Sequence, residues 1–521
     1  MATPAASPAP PPAPGSEPAA RTLTVEMAGT DVIPESERKG KPADLFMPWF
    51  AANISVFGIS WGAFVLGFGI SFWQAVLASV VGVVASFVLV GLIAIAGKRG
   101  SAPTLVLSRA AFGYNGNRVS AAISWILTVG WETFLCVMAT LAAATVMEAL
   151  GFGNHTAAQV VALVVVVLVA GGAGVLGFDT LMTVQTWITW ITAALTIVYL
   201  VLVLPRIDLD VVTALPAGSA TAVVGAFVMV LTGFGLGWVN AGADYSRYLP
   251  RSASTRGVVG WTTFGSALPC VALVVFGLLL VGSDPDLGAA IQSDPIGALT
   301  TILPTWFLVP FAVVAILGLI GGIILDIYSS GLSLLATGLP VARPVATAID
   351  GTIMTLGTIV IVFFTDSFFV PFQGFLITLG VVIAGWAGIM LADIALRRRD
   401  YAEADLFTTR GVYGAVNGRA MAVLAVATVV GWGFVVNTYA GWLGWQGYLL
   451  GVVGGKEGDW AWANLGVLFA LVIGFVGYLL LCRGRVRHQE ETGSLVSFGA
   501  GVGVARTAGS AGTADTASSP R

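Results

Sequence analysis

The chain has 521 residues, of which 57% are hydrophobic and only 10% are charged, and its formal net charge is −3. A soluble domain carries about 25% charged residues, so this composition excludes an ordinary water-soluble protein and predicts a polytopic integral membrane protein. The three cysteines, Cys136, Cys270 and Cys482, lie in apolar runs without the spacing of a metal site or a disulfide framework.

The two ends of the chain differ in composition from its middle. Residues 1–45 begin with Ala/Pro/Ser low complexity, and residues 486–521 are polar and rich in Gly, Ala, Ser and Thr. Segments of this kind cannot bury a core, so we predict a disordered tail at each end. No apolar run follows the start directly, which argues against a signal peptide.

Twelve hydrophobic runs between these tails are long enough for a membrane-spanning helix, which needs about 20 mostly apolar residues. Long continuous runs favour helices over a membrane β-barrel, whose strands alternate in short segments. We number these predicted spans 1 to 12, and they cover residues 47–72, 74–96, 119–148, 157–178, 183–204, 221–248, 258–282, 306–338, 346–364, 371–396, 418–440 and 461–482.

Positive charge is distributed unevenly between the two sides of this predicted bundle. The connections after spans 2, 6, 8 and 10 carry most of the Arg and Lys residues, whereas the opposite side carries only Arg206 and Lys456 together with several acids. The positive-inside rule therefore places both termini in the cytoplasm. We expect a multi-pass protein of the cell membrane, surrounded by the lipid bilayer.

Spans 1 and 6 are interrupted by glycine and polar residues. These are Asn53, Ser55, Gly58, Ser60 and Gly62 in span 1, and Gly233, Gly235 and Gly237 in span 6. Glycine costs about 1 kcal/mol in a helix interior relative to alanine. Two interrupted spans, five apart, indicate an inverted-repeat transporter with discontinuous helices at the bilayer midplane. The alternative is that these glycines only allow neighbouring helices to pack closely.

Two acids and one tryptophan lie at membrane depth. A carboxylate there costs about 2.5–3.5 kcal/mol on insertion scales, so Glu132 in span 3 and Asp326 in span 8 are predicted to couple protons or to accept hydrogen bonds from a substrate. A structural bond to a neighbouring helix is the alternative. Trp131 lies away from the interfacial belts that tryptophan prefers. It offers a face for stacking a flat heterocycle, with core filling as the alternative.

Helical spacing groups several of these residues. Gly318, Gly322 and Asp326 follow one another at intervals of four, so they share one face of span 8. The two glycines leave room for a ligand one turn from the carboxylate. Thr128 and Glu132 share a face of span 3 by the same spacing.

Six short stretches carry recognisable motifs. ADYSRYLPRSAS at 243–254 resembles the Ala-Asp-Tyr/Phe signature of the nucleobase–cation symporter family 1, which includes bacterial cytosine permeases, hydantoin permeases and fungal purine–cytosine permeases. The resemblance extends over about residues 40–485. The other stretches are SRAAFGYNGNR (108–118), VGWETF (129–134), IYSSGLSLL (327–335), LADIALRRRDYAEADLF (391–407) and VNGRAMAVLAVATVVGW (416–432).

This resemblance implies an all-α, LeuT-like fold. The transporter domain would cover 46–485, with spans 1–5 (about 46–204) and spans 6–10 (about 221–396) as inverted repeats and two extra helices over about 418–482. The implied substrate is a nucleobase or a related planar ring of the cytosine, purine or allantoin class, carried with Na⁺ or H⁺. No cofactor and no nucleic-acid partner is implied. The identity of the ring and the oligomeric state stay open.

The resemblance also implies site residues. In relatives the ring is sandwiched between a span 3 tryptophan and an aromatic residue in the break of span 6. These map to Trp131 and Phe234, with Trp238 as the alternative if the alignment shifts. The span 1 backbone around Gly58–Trp61, which includes Ser60, would add polar contacts.

Span 8 departs from the family pattern. Cytosine permeases place asparagines where this chain has Gly318 and Ile323, and hydroxyl groups that help to bind Na⁺ are replaced by Gly321 and Gly322. Together with Glu132 and Asp326, these replacements favour protons over Na⁺. The alternative is Na⁺ held by carbonyls at the span 1 break, with Asp326 as a direct ligand.

Other functional classes find less support. A channel would show a repeated filter or a pore-lining polar ring, and none is visible. The two histidines, His155 and His488, lie outside the spans, and neither a Gly-x-Ser-x-Gly elbow nor a phosphate loop occurs in a usable context. The sequence therefore predicts a secondary transporter rather than an enzyme.

Overall fold

The computed structural model of the protein describes residues 30–174, 178–365, 369–437 and 441–493, and within these ranges it contains helices and no β-strand. The disorder predicted for the tails at 1–29 and 494–521 lies outside the described residues. The helix that matches each predicted span keeps its number. In chain order the spans are Phe46–Asn53 with Phe57–Leu66, Phe72–Gly100, Asn117–Ala149, His155–Gly174, Phe178–Val203, Ala220–Gly233 with Gly235–Trp238, Thr255–Ser283, Leu308–Ala336, Arg343–Phe364, Phe369–Leu396, Gly418–Gly433 and Gly466–Thr492.

The helices support the predicted all-helical membrane fold. Among the described residues, nine helices are long and apolar enough to cross a membrane, and the two halves of span 1 together make a tenth. Spans 4 and 11 correspond to the shorter apolar helices His155–Ala170 and Gly418–Gly433. Every predicted span thus has a helical counterpart.

Span 11 is shorter than its predicted end at residue 440. Its helix stops at Gly433 because the following connection folds back onto it. The amides of Gly447 and Leu449 donate to the carbonyls of Trp432 and Gly433, both at 2.9 Å. These bonds satisfy carbonyls that a longer helix would have used.

The two glycine-rich spans are broken, as predicted. Helix Pro42–Asn53 and helix Phe57–Leu66 meet at an angle of 69°. Span 6 is interrupted at Phe234, whose φ of −99° and ψ of −109° are not helical. Beyond Trp238 the chain continues in short 3₁₀ turns. Each break removes backbone groups from the helical hydrogen-bond ladder at the level where transporters bind their cargo.

Helix pairing follows the repeat. Span 2 packs along span 7 and span 3 packs along span 8, so each helix meets its counterpart in the other half. The second half of span 1 crosses span 7 at two glycines. A Cβ on Gly277 would lie 2.0 Å from the carbonyl oxygen of Ile59, and one on Gly62 would lie 2.2 Å from the carbonyl carbon of Gly277. No other residue type permits this approach.

Both predicted boundaries of the transporter domain need correction. Residues 30–45 pack against the bundle, where Arg38 is buried and donates to the carbonyls of Lys98 and Leu249. At the other end span 12 continues to Thr492, well past residue 485. These segments are polar, so composition alone assigned them to the tails, although their hydrogen bonds to the bundle hold them in place.

Candidate substrate and coupling site

A cavity lies where the broken segments of spans 1 and 6 face spans 3 and 8. Its volume is about 80 Å³, whereas one water requires roughly 10–15 Å³ in this measure. It therefore has room for a small ring. Six of the predicted site residues line it: Gly58, Trp131, Phe234, Gly318, Gly322 and Asp326.

The other three predicted residues do not line this cavity. The Ser60 hydroxyl is buried and donates to the Pro295 carbonyl at 2.8 Å. The Thr128 hydroxyl donates to the Ser124 carbonyl at 2.7 Å and accepts from the Asn240 amide at 3.1 Å. Glu132 is fully buried behind the cavity wall. Helical spacing grouped Thr128 with Glu132, and the family resemblance supplied Ser60, but neither identified which side chains face the cavity.

Five aromatic side chains line the cavity. The rings of Trp61 and Phe234 are 4.5 Å apart between centroids and tilted by 43°. Glycines in span 6 make room for them: a Cβ on Gly233 would lie 2.1 Å from the Trp61 ring, and one on Gly237 would lie 3.1 Å from Nε1 of Trp131. The sequence therefore combines bulky rings on spans 1 and 3 with glycines on span 6. Trp238, the alternative to Phe234, also lines the cavity.

Sequence analysis missed part of the polar lining. Asn53 ends the first half of span 1, where its side-chain amide donates to the Trp49 carbonyl at 2.8 Å. Its side-chain oxygen accepts from the thiol of Cys270 at 3.6 Å. Asn53 interrupts an apolar helix, which was the available signal. Cys270 gave no such signal, because a cysteine within an apolar run does not stand out from its hydrophobic neighbours.

Further cavities lie between the central one and one end of the bundle. A second cavity shares Phe57, Trp61 and Gly233 with the first. A third shares Phe68 and Trp462 with the second and reaches loop residues on the acid-rich side, including Asp459. The contact between Trp61 and Phe234 separates the first two. A series of neighbouring cavities therefore lies between the site and the acid-rich side, and Trp61 borders the first two of them.

The opposite end is closed by a layer of aromatic residues and one arginine, which we call the inner layer: Trp49, Tyr245, Tyr328 and Arg247. Trp49 meets Tyr245 edge-on at 5.3 Å, and Tyr245 stacks on Tyr328 at 6.4 Å. The buried Arg247 donates to the Tyr328 hydroxyl at 2.8 Å. Tyr245 and Arg247 belong to the span 6 signature, which thus closes the Arg-rich side.

Behind the wall, three acids follow one another across spans 8, 3 and 9. Asp326 lines the cavity, and Glu132 has no hydrogen-bond partner for either carboxylate oxygen among the described residues. Asp350 of span 9 accepts from Nε1 of Trp125 at 2.6 Å and from the Ser330 hydroxyl at 2.9 Å. Asp350 was missed by sequence analysis, because an acid near the start of a span resembles a loop residue.

These acids form a row rather than a chelating cluster. In the described part of the chain, no group of three or more His, Cys, Asp and Glu side chains converges closely enough to hold a metal ion. Carboxylates that do not converge can still exchange protons through intervening hydroxyl groups. The cavity is therefore suited to bind a ring and the row of acids to exchange protons, and Asp326 belongs to both.

Two broken spans around a central cavity are the arrangement of a secondary transporter with a LeuT-like fold. The profile of the permeases for cytosine/purines, uracil, thiamine and allantoin matches residues 32–460. The chain belongs to this permease family. The predicted family is confirmed, and so is the prediction of a transporter rather than an enzyme.

Individual relatives agree with this assignment. The putative purine-cytosine permease YxlA of Bacillus subtilis is 22% identical over 91% of this chain and 100% of its own length. The purine-cytosine permease FCY2 of Saccharomyces cerevisiae is 24% identical over 88% of each chain. Mhp1, a nucleobase-cation-symport-1 family transporter solved in a closed conformation with bromovinylhydantoin bound, has a TM-score of 0.65 at 20% identity and covers 90% of this chain and 97% of its own.

Proposed function

We propose that the protein imports a planar nitrogen heterocycle of the nucleobase class by alternating access, driven by protons. One observation carries the proposal. The cavity at the breaks of spans 1 and 6 has the aromatic rings of Trp131 and Phe234 on its walls and the carboxylate of Asp326 beside them. A flat ring and a titratable group are thus brought to one place.

The lining suits a ring that binds mainly through its faces. Base–aromatic stacking contributes about 1–3 kcal/mol per base, as judged by alanine substitution. Apart from the tryptophan indoles, the polar side chains of the lining are those of Asn53, Ser55, Cys270 and Asp326. Gly318 and Gly322 leave the span 8 wall without side chains, which favours a substituted ring. The names of the purine-cytosine permease relatives support the same substrate class.

Proton coupling is supported by the acids. The ionised form of a carboxylate is disfavoured in an apolar interior, so Asp326 and Glu132 are suited to bind and release protons during transport. The competing reading is Na⁺ bound by carbonyls at the span 1 break with Asp326 as a ligand. A carboxylate is a good partner for a hard cation, so the two readings require a functional test.

Uptake into proteoliposomes separates the two ions. With proton coupling, accumulation persists without Na⁺ and collapses when a protonophore dissipates the pH gradient. Strict dependence on external Na⁺, with no effect of the protonophore at clamped membrane potential, would reject protons and make Asp326 a sodium ligand.

The identity of the transported ring can be found by a thermal-shift screen of nucleobases and vitamins, because a ligand that binds only the native state stabilises it.

The conformation supports import from the acid-rich side. The cavities next to the central one extend toward that side, whereas the inner layer closes the Arg-rich side, which the positive-inside rule assigns to the cytoplasm. A cysteine introduced beside Asp286 should then react with an impermeant thiol reagent on intact cells, and one beside Arg398 should not. The reverse labelling pattern would overturn the orientation.

A further inference from the structure

We propose that Asp350 on span 9 is the residue through which the coupling proton leaves the site, and that Glu132 passes this proton from Asp326 to Asp350 by way of the Ser330 hydroxyl. The inference rests on the proposed proton-driven transport and adds the residues along which the coupling proton moves. It assigns a role to a residue that does not line the substrate cavity.

The unpartnered carboxylate of Glu132 is the first observation. Its side chain is fully buried, and neither oxygen has a hydrogen-bond partner among the described residues. A buried polar group without a partner costs free energy, so such a group is expected to serve a ligand or a proton. The groups around it are Asp350 on span 9 and Asp326 and Ser330 on span 8.

None of the other titratable groups described near Glu132 supplies a positive charge to balance its ionised carboxylate. Cys136 lies one turn along span 3 from Glu132 and carries no opposite charge. Tyr245 of span 6 faces Asp326, and its hydroxyl has no hydrogen-bond partner among the described residues. The surroundings thus hold three carboxylic acids and neutral groups, an arrangement in which the acids compete for protons.

Helix geometry orders the row. Ser330 follows Asp326 by one turn, or about 6 Å along the axis of span 8. Trp125 precedes Glu132 by seven residues and therefore lies on the same face of span 3. Asp350 meets both Ser330 and Trp125. The row begins at the cavity and proceeds toward the end where Arg343 starts span 9.

The transfer is balanced at each step. Protonated Asp326 gives its proton to the carboxylate of Glu132. Protonated Glu132 then donates to the Ser330 oxygen as the Ser330 hydroxyl releases its own proton to Oδ2 of Asp350, the acceptor at 2.9 Å. Asp350 releases the proton toward the Arg-rich side. Ser330 ends with the same number of protons that it had at the start.

A purely structural role for Asp350 is the competing explanation, because its two hydrogen bonds fasten span 9 to spans 3 and 8. Asparagine in this position keeps an oxygen that accepts from Trp125 and an amide that donates to Ser330. Asp350→Asn therefore preserves the fastening but cannot take up a proton. Asp350→Glu keeps the titratable group.

The test measures proton movement directly. Purified protein is reconstituted into vesicles with a pH dye outside, and the ring identified by thermal shift is added. Wild type should alkalinise the medium, Asp350→Asn should not, and Asp350→Glu should retain the signal. Asp286→Asn, an exposed acid of the loop after span 7, is the matched control and should behave as wild type.

A second readout guards against misfolding. Under a pH gradient of one unit, a one-proton symporter sustains about tenfold accumulation. Asp350→Asn should lose this factor while keeping the thermal shift produced by the ring, since Asp350 is outside the cavity. Full alkalinisation by Asp350→Asn would overturn the route, as would loss of ring binding in both Asp350 variants, which would make the residue structural. No alkalinisation by wild type would instead reject proton coupling itself.

Discussion

Two buried acids of this protein have opposite surroundings. Asp393 on span 10 accepts from Nε of Arg397 at 2.6 Å and from the Tyr478 hydroxyl at 2.7 Å, and Arg397 also donates to Gln489 of span 12 at 2.6 Å. Glu132 on span 3 is equally buried, yet both of its oxygens are without a partner among the described residues.

The difference between these two acids indicates that one has a structural role and the other a role in transport. A paired and hydrogen-bonded buried charge fixes the position of its neighbours, here by joining the last extra helix to the second repeat. An unpartnered buried carboxylate contributes nothing of that kind. It is retained where a proton or a ligand arrives during the working cycle. The first group should therefore control stability, and the second should control accumulation.

The largest expected effect is on stability. Asp393→Ala leaves the Arg397 guanidinium buried without its counter-charge, and breaking such a pair costs about 3–5 kcal/mol. The thermal unfolding midpoint of the detergent-purified protein should fall markedly. Glu132→Gln is the matched comparison and should not lower it, because a neutral amide replaces an unpartnered carboxylate. Equal losses in the two variants would remove the distinction.

The next effect concerns substrate binding. Trp131→Ala removes one stacking face from the cavity and should weaken binding by about 1–3 kcal/mol, or roughly 5- to 150-fold. Equilibrium binding of the radiolabelled ring measures it. Trp190 of span 5 is 60% exposed on the outside of the bundle, so Trp190→Ala should bind as wild type. Unchanged affinity in Trp131→Ala would refute stacking on this residue.

A somewhat smaller effect is expected on energy coupling. Asp326→Asn and Glu132→Gln should each reduce accumulation about tenfold for each unit of pH gradient, which corresponds to roughly 1.4 kcal/mol. Exchange of labelled for unlabelled ring, which needs no net proton movement, should continue. Asp210→Asn is the control, because Asp210 is exposed in the short helix Leu209–Thr213. Retained pH-driven accumulation in both variants would exclude these acids from coupling.

The smallest effect tests Ser60. Its hydroxyl donates to the Pro295 carbonyl, so Ser60→Ala should cost about 0.5–1.5 kcal/mol of stability. Binding of the ring should stay unchanged, as judged by the same radioligand titration. A loss of affinity comparable with that of Trp131→Ala would show that this hydroxyl turns toward the substrate during the cycle.

The sequence predicted helices and their breaks better than it predicted contacts between segments that are distant in sequence. Continuous hydrophobicity located the spans, and clustered glycines located both broken helices. Both patterns depend only on residues that are close together in the sequence. Phe234, which the family resemblance placed in the break of span 6, is the residue at which that helix is interrupted. The end of span 11 was missed because the connection that terminates it folds back from residues 447–449.

The candidate site shows the same limit. Periodicity groups residues by helix face, but it does not say which face reaches the cavity, so Thr128 was assigned to a lining that it does not join. Asp350 was overlooked for the converse reason. Only the packing of span 9 against spans 3 and 8 brings it to Ser330 and Trp125.

The most direct test of the central claim is the affinity for the ring as a function of pH, in wild type and in Asp326→Asn. Because coupling is reciprocal, a proton that is carried with the substrate must also strengthen substrate binding, and such couplings typically amount to about 5- to 150-fold. We predict that wild-type affinity falls by such a factor as the pH rises, and that the affinity of Asp326→Asn is independent of pH. The same pH dependence in both proteins, or an affinity governed by Na⁺ alone, would contradict the account.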